Sequence, residues 1–183
     1  MAILPIVHEP ADVLRKKAKP VTKVNAAIRQ LLDDMADTMY DAPGVGLAAP
    51  QVGVSKRIIV IDPHDDETGL IQLVNPEITH AEGAVWGTEG CLSIPGMVGD
   101  VMRYEKVKVT GLDRRGNKVW IEAEGWLARI FQHEIDHLDG VMYTDKCKNY
   151  RESPKDEDGE EAEVGPEPIP DGGVAPVSES KGE

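Results

Sequence analysis

The stretch Gln132-His133-Glu134-Ile135-Asp136-His137 sets two histidines four residues apart, with a glutamate directly after the first. Residues at i and i+4 share one face of an α-helix. Two imidazoles so placed can hold one metal ion while the glutamate handles the proton of an attacking water, which is the chemistry of metal-assisted hydrolysis. On a helical wheel with Leu127 at zero, Leu127, Ile130, Phe131, Ile135 and Leu138 fall within about 80° of zero. His133 and His137 lie about 40° apart at one edge of that apolar stripe. Glu134 lies inside it, where a carboxylate is costly unless it is paired, neutralised or beside a metal. Ala128, Arg129, Gln132, Asp136 and Asp139 cluster on the opposite face, which is expected to be wet.

A catalytic site of this kind takes three protein ligands and leaves one position for water. Two histidines are therefore an incomplete set. The extended zincin pattern carries a third histidine six residues after the second. Gly140 fits that extension, but Tyr143 stands where the histidine belongs. Acidic residues beyond Asp145 belong to a polar C-terminal run, which leaves a downstream glutamate poorly placed. His8, His64 and His80 stand alone in turn-like or terminal contexts and read as surface residues. Cys91 remains, in the turn-prone run Thr88-Glu89-Gly90-Cys91-Leu92-Ser93. A lone cysteine is by itself more often inert packing, so on the residues alone this position stays open.

Elements must bring these residues together. A short helix is expected over 10–18. A long N-terminal helix is expected from Asn25, its N-cap, to the stop at Pro43-Gly44, with Ile28, Leu31, Leu32, Met35 and Met39 at helical spacing. Strands are expected at 57–62, 71–78, 106–113 and 118–125, the last two joined by a turn at 114–117. The metal-binding helix runs from about Gly125 to Leu138 and ends at Asp139-Gly140. The small-residue run Gly44-Val45-Gly46-Leu47-Ala48-Ala49-Pro50-Gln51 follows a helix and lacks a phosphate-loop lysine. It reads better as a strand that a peptide backbone can approach. The order of elements is α+β.

Composition bounds the rest. The chain has 183 residues and a formal net charge of −13. That length supports one domain, and the acidity argues against direct nucleic-acid binding. Residues 152–183 hold eleven acidic side chains against two lysines, a net of −9, which leaves −4 for the body. The chain therefore divides into a catalytic body over 1–150 and an acidic, Pro/Gly-rich tail over 151–183 that is expected to be disordered. No secretory signal and no apolar run of membrane length is present, so a cytoplasmic location, no membrane and two reduced cysteines are expected.

Three segments in this order, 44–53, 89–93 and 132–137, closely resemble the signatures of the peptide deformylase family. The resemblance covers the body to about Tyr150. It implies an α+β fold in which a central metal-binding helix is surrounded by antiparallel β-sheets. It implies Cys91, His133 and His137 as metal ligands and Glu134 as general acid/base. Gln51 and the Leu92 backbone N–H would stabilise the oxyanion, and Glu89 would either pair with Arg103 to steady the Cys91 loop or stand as an ordinary surface carboxylate. Val45 and Gly46 would pair with the substrate main chain from one side and Gly90 from the other. Val45, Leu92, Trp126 and the face of His133 match positions of the methionine pocket, and Arg129 falls where relatives carry an apolar residue. The implied activity removes the formyl group from formyl-methionyl nascent peptides. The implied metal is Fe(II), with Zn(II) or Ni(II) able to occupy the site. A transient contact with the ribosome is implied too, although only Lys146, Lys148, Arg151 and Lys155 precede the acidic run. The metal helix taken alone supports a zincin-type metallopeptidase as the competing reading.

Overall fold

The computed structural model describes residues 2–156 and 158–160. Helix α1 spans Ala26–Asp41, and the Asn25 side chain accepts from the Ile28 N–H at its start, as an N-cap does. Its apolar stripe, Ile28, Leu32, Met35 and Met39, packs on Leu47, Ile58, Val60 and Val74. The strands are β1 (Gly46–Ala48), β2 (Ile58–Ile61), β3 (Ile71–Glu82), β4 (Val85–Cys91), β5 (Ile94–Arg103), β6 (Lys106–Leu112), β7 (Lys118–Glu124) and β8 (Lys148–Glu152). They form a five-stranded sheet in the order β1-β2-β3-β6-β7 and a three-stranded sheet in the order β4-β5-β8. Every pair is antiparallel. Helix α2, Gly125–Leu138, packs Ile130, Phe131, Ile135 and Leu138 against Ile59, Ile61, Leu73 and Val109. The α+β architecture expected from the sequence is the one observed.

Several elements differ from expectation, each for a physical reason. The short helix expected over 10–18 is one 3-10 turn at Asp12–Arg15. The residues after it are drawn out instead: Ala18 N–H donates to Leu138 C=O and Lys19 bridges to Lys56. Lys19 also precedes a proline, which disfavours a helical backbone there. Strand β3 runs on to Glu82, past the expected end at 78, with a register shift between Val74 and Glu77. Pro76, which has no N–H for the ladder, sits in that irregularity. The turn-prone run around Cys91 lies where strands β4 and β5 meet. They form one hairpin, with Cys91 opposite Ile94 and Leu92-Ser93 at its tip. Strand β8 has no apolar alternation, since all five of its residues are exposed. Partner β5 defines it.

The expected wet face of α2 is the largest correction. Ala128, Arg129 and Gln132 are buried, and only Asp139 of that group is exposed. Gln132 explains how a polar residue can sit there: its side chain accepts from Tyr104 N–H and donates to the Tyr104 and Ala128 carbonyls. Helix α2 is thus enclosed by both sheets.

Strand β8 runs to Glu152, two residues beyond the boundary expected at 150. Disorder of the tail was expected over 151–183, and residues 161–183 lie outside the described residues. Asp100 on β5 anchors β8, accepting from Thr88 Oγ1 at 2.9 Å, Asn149 Nδ2 at 2.8 Å and Arg151 at 3.1 Å. Burial raises its pKa, but these donors outweigh burial and leave it below the ordinary aspartate value. A carboxylate depressed in the folded state contributes stability above its unfolded pKa and loses it as pH falls through the folded value. Asp100→Asn is therefore expected to lower the melting temperature by several degrees at pH 7, from a loss of about 1–3 kcal/mol. Melting curves taken down to about pH 3 should show wild type and variant converging. A gap independent of pH would contradict this role.

Candidate active site

Three elements meet over the middle of α2. The β4–β5 hairpin brings the Cys91 side chain, α2 brings His133, Glu134 and His137, and β1 with the turn after it brings Gln51. The ligand atoms of Cys91, His133 and His137 all lie within 4.8 Å of one another. Cys91 Sγ is 3.4 Å from His137 Nε2. The two imidazoles are 5.0 Å apart, edge to face at 72°. Cys91 and Cys147 are both free thiols. His8, His64 and His80 are exposed and stand elsewhere.

The donor set fits a divalent cation that accepts sulfur and nitrogen. His133 Nδ1 is 2.7 Å from Glu89 Oε1. That carboxylate claims the Nδ1 proton and leaves Nε2 free to ligate, the usual arrangement behind a metal-bound histidine. Burial pulls the His137 pKa well below its ordinary value, which favours the neutral imidazole a metal requires. Glu134 Oε2 is buried and has no partner among the described residues. Burial pushes the Glu134 pKa up to about 7, the range of a group that both takes and gives a proton.

Strand β1 lies directly over this carboxylate. A Cβ on Gly46 would meet Glu134 Oε1 at 2.5 Å, so only glycine lets the backbone pass there. Gln51 is buried; its Oε1 accepts from Ala48 N–H at 2.9 Å. Its Nε2 is thereby turned towards the hairpin tip, 3.4 Å from Cys91 Sγ and 3.2 Å from Ser93 Oγ. Gly90 sits on β4 opposite Val98. Val45 and Trp126 are partly buried at the edge of the α2 core, and Leu92 packs against the α1 core.

Arg129 is placed differently from the expectation. It is buried, and its guanidinium donates to Glu89 Oε2 at 2.7 Å and to the carbonyls of Val101 and Val85. The charged head group is committed to these three partners inside the protein. Glu89 itself is buried, which excludes its surface reading. Arg103 grips it with two bonds, at 2.9 and 2.8 Å, and also reaches Asp136 at 2.6 Å. Burial raises the Glu89 pKa, but Arg103 and His133 reverse the effect and hold the carboxyl well below its usual range. Asp136 and Tyr143 went unrecognised in the sequence. Tyr143, noted there only as a missing histidine, stacks on His133 with centroids 6.0 Å apart.

A family model described as polypeptide deformylase matches residues 3–153. The chain belongs to the peptide deformylase family. A peptide deformylase of Symbiobacterium thermophilum is 73% identical over 178 residues, 94% of this chain and 81% of that protein. One of Pelotomaculum thermopropionicum is 52% identical over 158 residues, 86% of this chain and all of that protein. The crystal structure of a peptide deformylase from Legionella pneumophila superposes with a TM-score of 0.77 at 49% identity, covering 81% of this chain and 88% of that one. Membership of the deformylase family makes this chain an enzyme, and the zincin reading is not favoured.

Glu89 also supports a prediction. Glu89→Ala would leave two buried guanidinium groups without their shared carboxylate. A cost of about 3–5 kcal/mol is expected from thermal or denaturant unfolding. Metal affinity should fall about 10–100-fold with the loss of the His133 partner. Unchanged metal content in folded Glu89→Gln would remove Glu89 from the support of the site.

Proposed function

We propose that this deformylase-family enzyme removes the N-formyl group from formyl-methionyl nascent peptides and releases formate. One observation carries the residue assignment: a thiol, two imidazoles and an unpartnered buried carboxylate converge beneath a glycine strand. Cys91, His133 and His137 would hold one divalent cation. Fe(II) is the metal proposed for the native enzyme, with Zn(II) or Ni(II) as alternatives that the same donors accept. Such an ion, when bound, supplies positive charge and lowers the pKa of water.

The remaining steps belong to the chain's own groups. The substrate main chain lies along the open edge of β1, at Val45 and Gly46, with Gly90 of the hairpin opposite. Val45, Leu92 and Trp126 provide apolar surface for the methionine side chain. Glu134 accepts the proton of the attacking water as oxygen bonds to the formyl carbon. Negative charge then develops on the formyl oxygen, where the Leu92 N–H and the Gln51 amide donate. The C–N bond breaks, and Glu134 returns the proton to the leaving amine. Burial of Glu134 suits this cycle, because a raised pKa makes its carboxylate a better proton acceptor than an exposed one.

A nascent-peptide substrate supports a cytoplasmic location, where a transient ribosome contact would bring the enzyme to its substrates. Among the described helices none is long and apolar enough to cross a membrane.

The reading is tested by formate release from a formyl-Met peptide, with metal-loaded protein kept free of air. Glu134→Gln should keep its metal and lose about 10²–10⁴-fold in kcat. Gln51→Ala should lose about 10²–10³-fold. Cys91→Ser should lose metal while Cys147→Ser retains it; equal metal in the two variants would overturn the ligand assignment. Cleavage of an unformylated peptide with no formate release would return the zincin reading.

A further inference from the structure

Strand β1 is short and lies at the edge of its sheet, with β2 as its one neighbour. Its approach from α1 passes through Ala42–Val45. This segment runs close to the hairpin tip and to Glu134: a Cβ on Gly44 would meet Leu92 Cδ1 at 2.8 Å and one on Gly46 would meet Glu134. A small displacement of the strand changes the opening between β1 and the hairpin tip.

A group of three side chains outside the catalytic cluster holds this segment. Asp62 follows β2, and its N–H donates to Val45 C=O at 2.9 Å. Its carboxylate accepts from Tyr40 Oη at 2.6 Å and from the His64 N–H at 2.8 Å. Burial and the Asp62 carboxylate raise the Tyr40 pKa to about 12, which keeps the phenol a donor. Asp62 thereby ties the end of α1 to the turn after β2. That turn puts His64 at φ 58°, a left-handed conformation that histidine seldom adopts. From there the ring reaches back, and Nε2 lies 3.2 Å from Gly44 C=O. The rings of Tyr40 and His64 are 6.0 Å apart. Two successive carbonyls, Gly44 and Val45, are therefore held from the β2 side, the first by an imidazole and the second by a backbone N–H.

We propose that His64 is a positioning residue for substrate binding: its Nε2–H bond to Gly44 C=O, supported by Asp62 and Tyr40, fixes the entry to β1 at the height where it pairs with the peptide main chain. This rests on the deformylation reading and on β1 as the peptide-binding edge. His64 touches neither the proposed metal ligands nor Glu134. A bond that sets the strand's position supports ground state and transition state alike, so its loss raises KM and leaves kcat nearly unchanged.

The test uses the full metal-loaded chain and formate release from a formyl-Met tripeptide, with KM and kcat measured separately. His64→Ala and His64→Gly should both raise KM about three- to tenfold, the worth of one hydrogen bond, with kcat within about twofold. Glycine accepts the positive φ freely and removes only the ring, so a defect in Ala but not in Gly would assign the effect to backbone strain and overturn the proposal. His64→Gln places an amide N–H where Nε2 stood and should restore most of the KM; failure to do so would overturn the hydrogen-bond role. His80→Ala, another exposed histidine, should behave as wild type, and an equal KM defect there would overturn the proposal as well. Normal wild-type turnover with unmoved KM in both His64 variants would overturn this inference alone. No formate from the wild type would overturn the deformylation reading itself.

Discussion

The buried carboxylate of Glu89 is the constraint on which the site depends. It sits on β4, is bound twice by Arg103 of β5 and once by Arg129 of α2, and receives the His133 ring at Nδ1. Hairpin and helix are thus joined by ionic hydrogen bonds in a region from which water is largely excluded. Isolated, each of these charges would cost several kcal/mol to bury. Within the cluster Glu89 and Asp136 offset Arg103 and Arg129, and Lys146 reaches Asp136 from the exposed side at 2.9 Å. The balance makes the cluster tolerable, and its geometry makes it useful. With one proton of His133 claimed by Glu89, the other ring nitrogen can only face Cys91 and His137.

A second constraint is distance. The backbone of β1 passes so close to Glu134 that a side chain at Gly46 has no room, and the hairpin tip stands close enough for Gln51 to touch both Cys91 and Ser93. The proposed proton carrier is therefore shielded from bulk water on the side where the peptide would lie. Shielding raises its pKa and strengthens every charge interaction in the cleft. The His64–Asp62–Tyr40 group belongs to the same logic, one layer further out, since a narrow cleft is only as well defined as the strand that bounds it.

Much of the site was legible in the residues themselves. His133 and His137 announce their partnership because helical periodicity alone puts them on one face, and Glu134 is conspicuous as a carboxylate on an apolar stripe. Helix α1 was legible down to its N-cap at Asn25. The hairpin that carries Cys91 was not: its residues alternate poorly and include four glycines, so local pattern reads as turn, while cross-strand hydrogen bonds make it strand. Arg129 and Gln132 were misread for a related reason. A wheel divides a helix into apolar and polar faces, but it cannot distinguish a polar face turned to water from one turned to a buried carboxylate or a backbone amide.

By itself the sequence determined the chemical types available, a thiol, two imidazoles at helical spacing and a glutamate between them, together with the α+β class and, through three motifs in order, the resemblance to a family. These are properties of local spacing and of residue identity, which need no third dimension. Only the tertiary structure decided that Cys91 meets the histidines, that Glu89 is buried beneath them, and that Arg129 serves the interior. Those facts depend on the hairpin folding over α2, a contact between residues some forty positions apart in the chain, and no local periodicity encodes which two surfaces will close on one another.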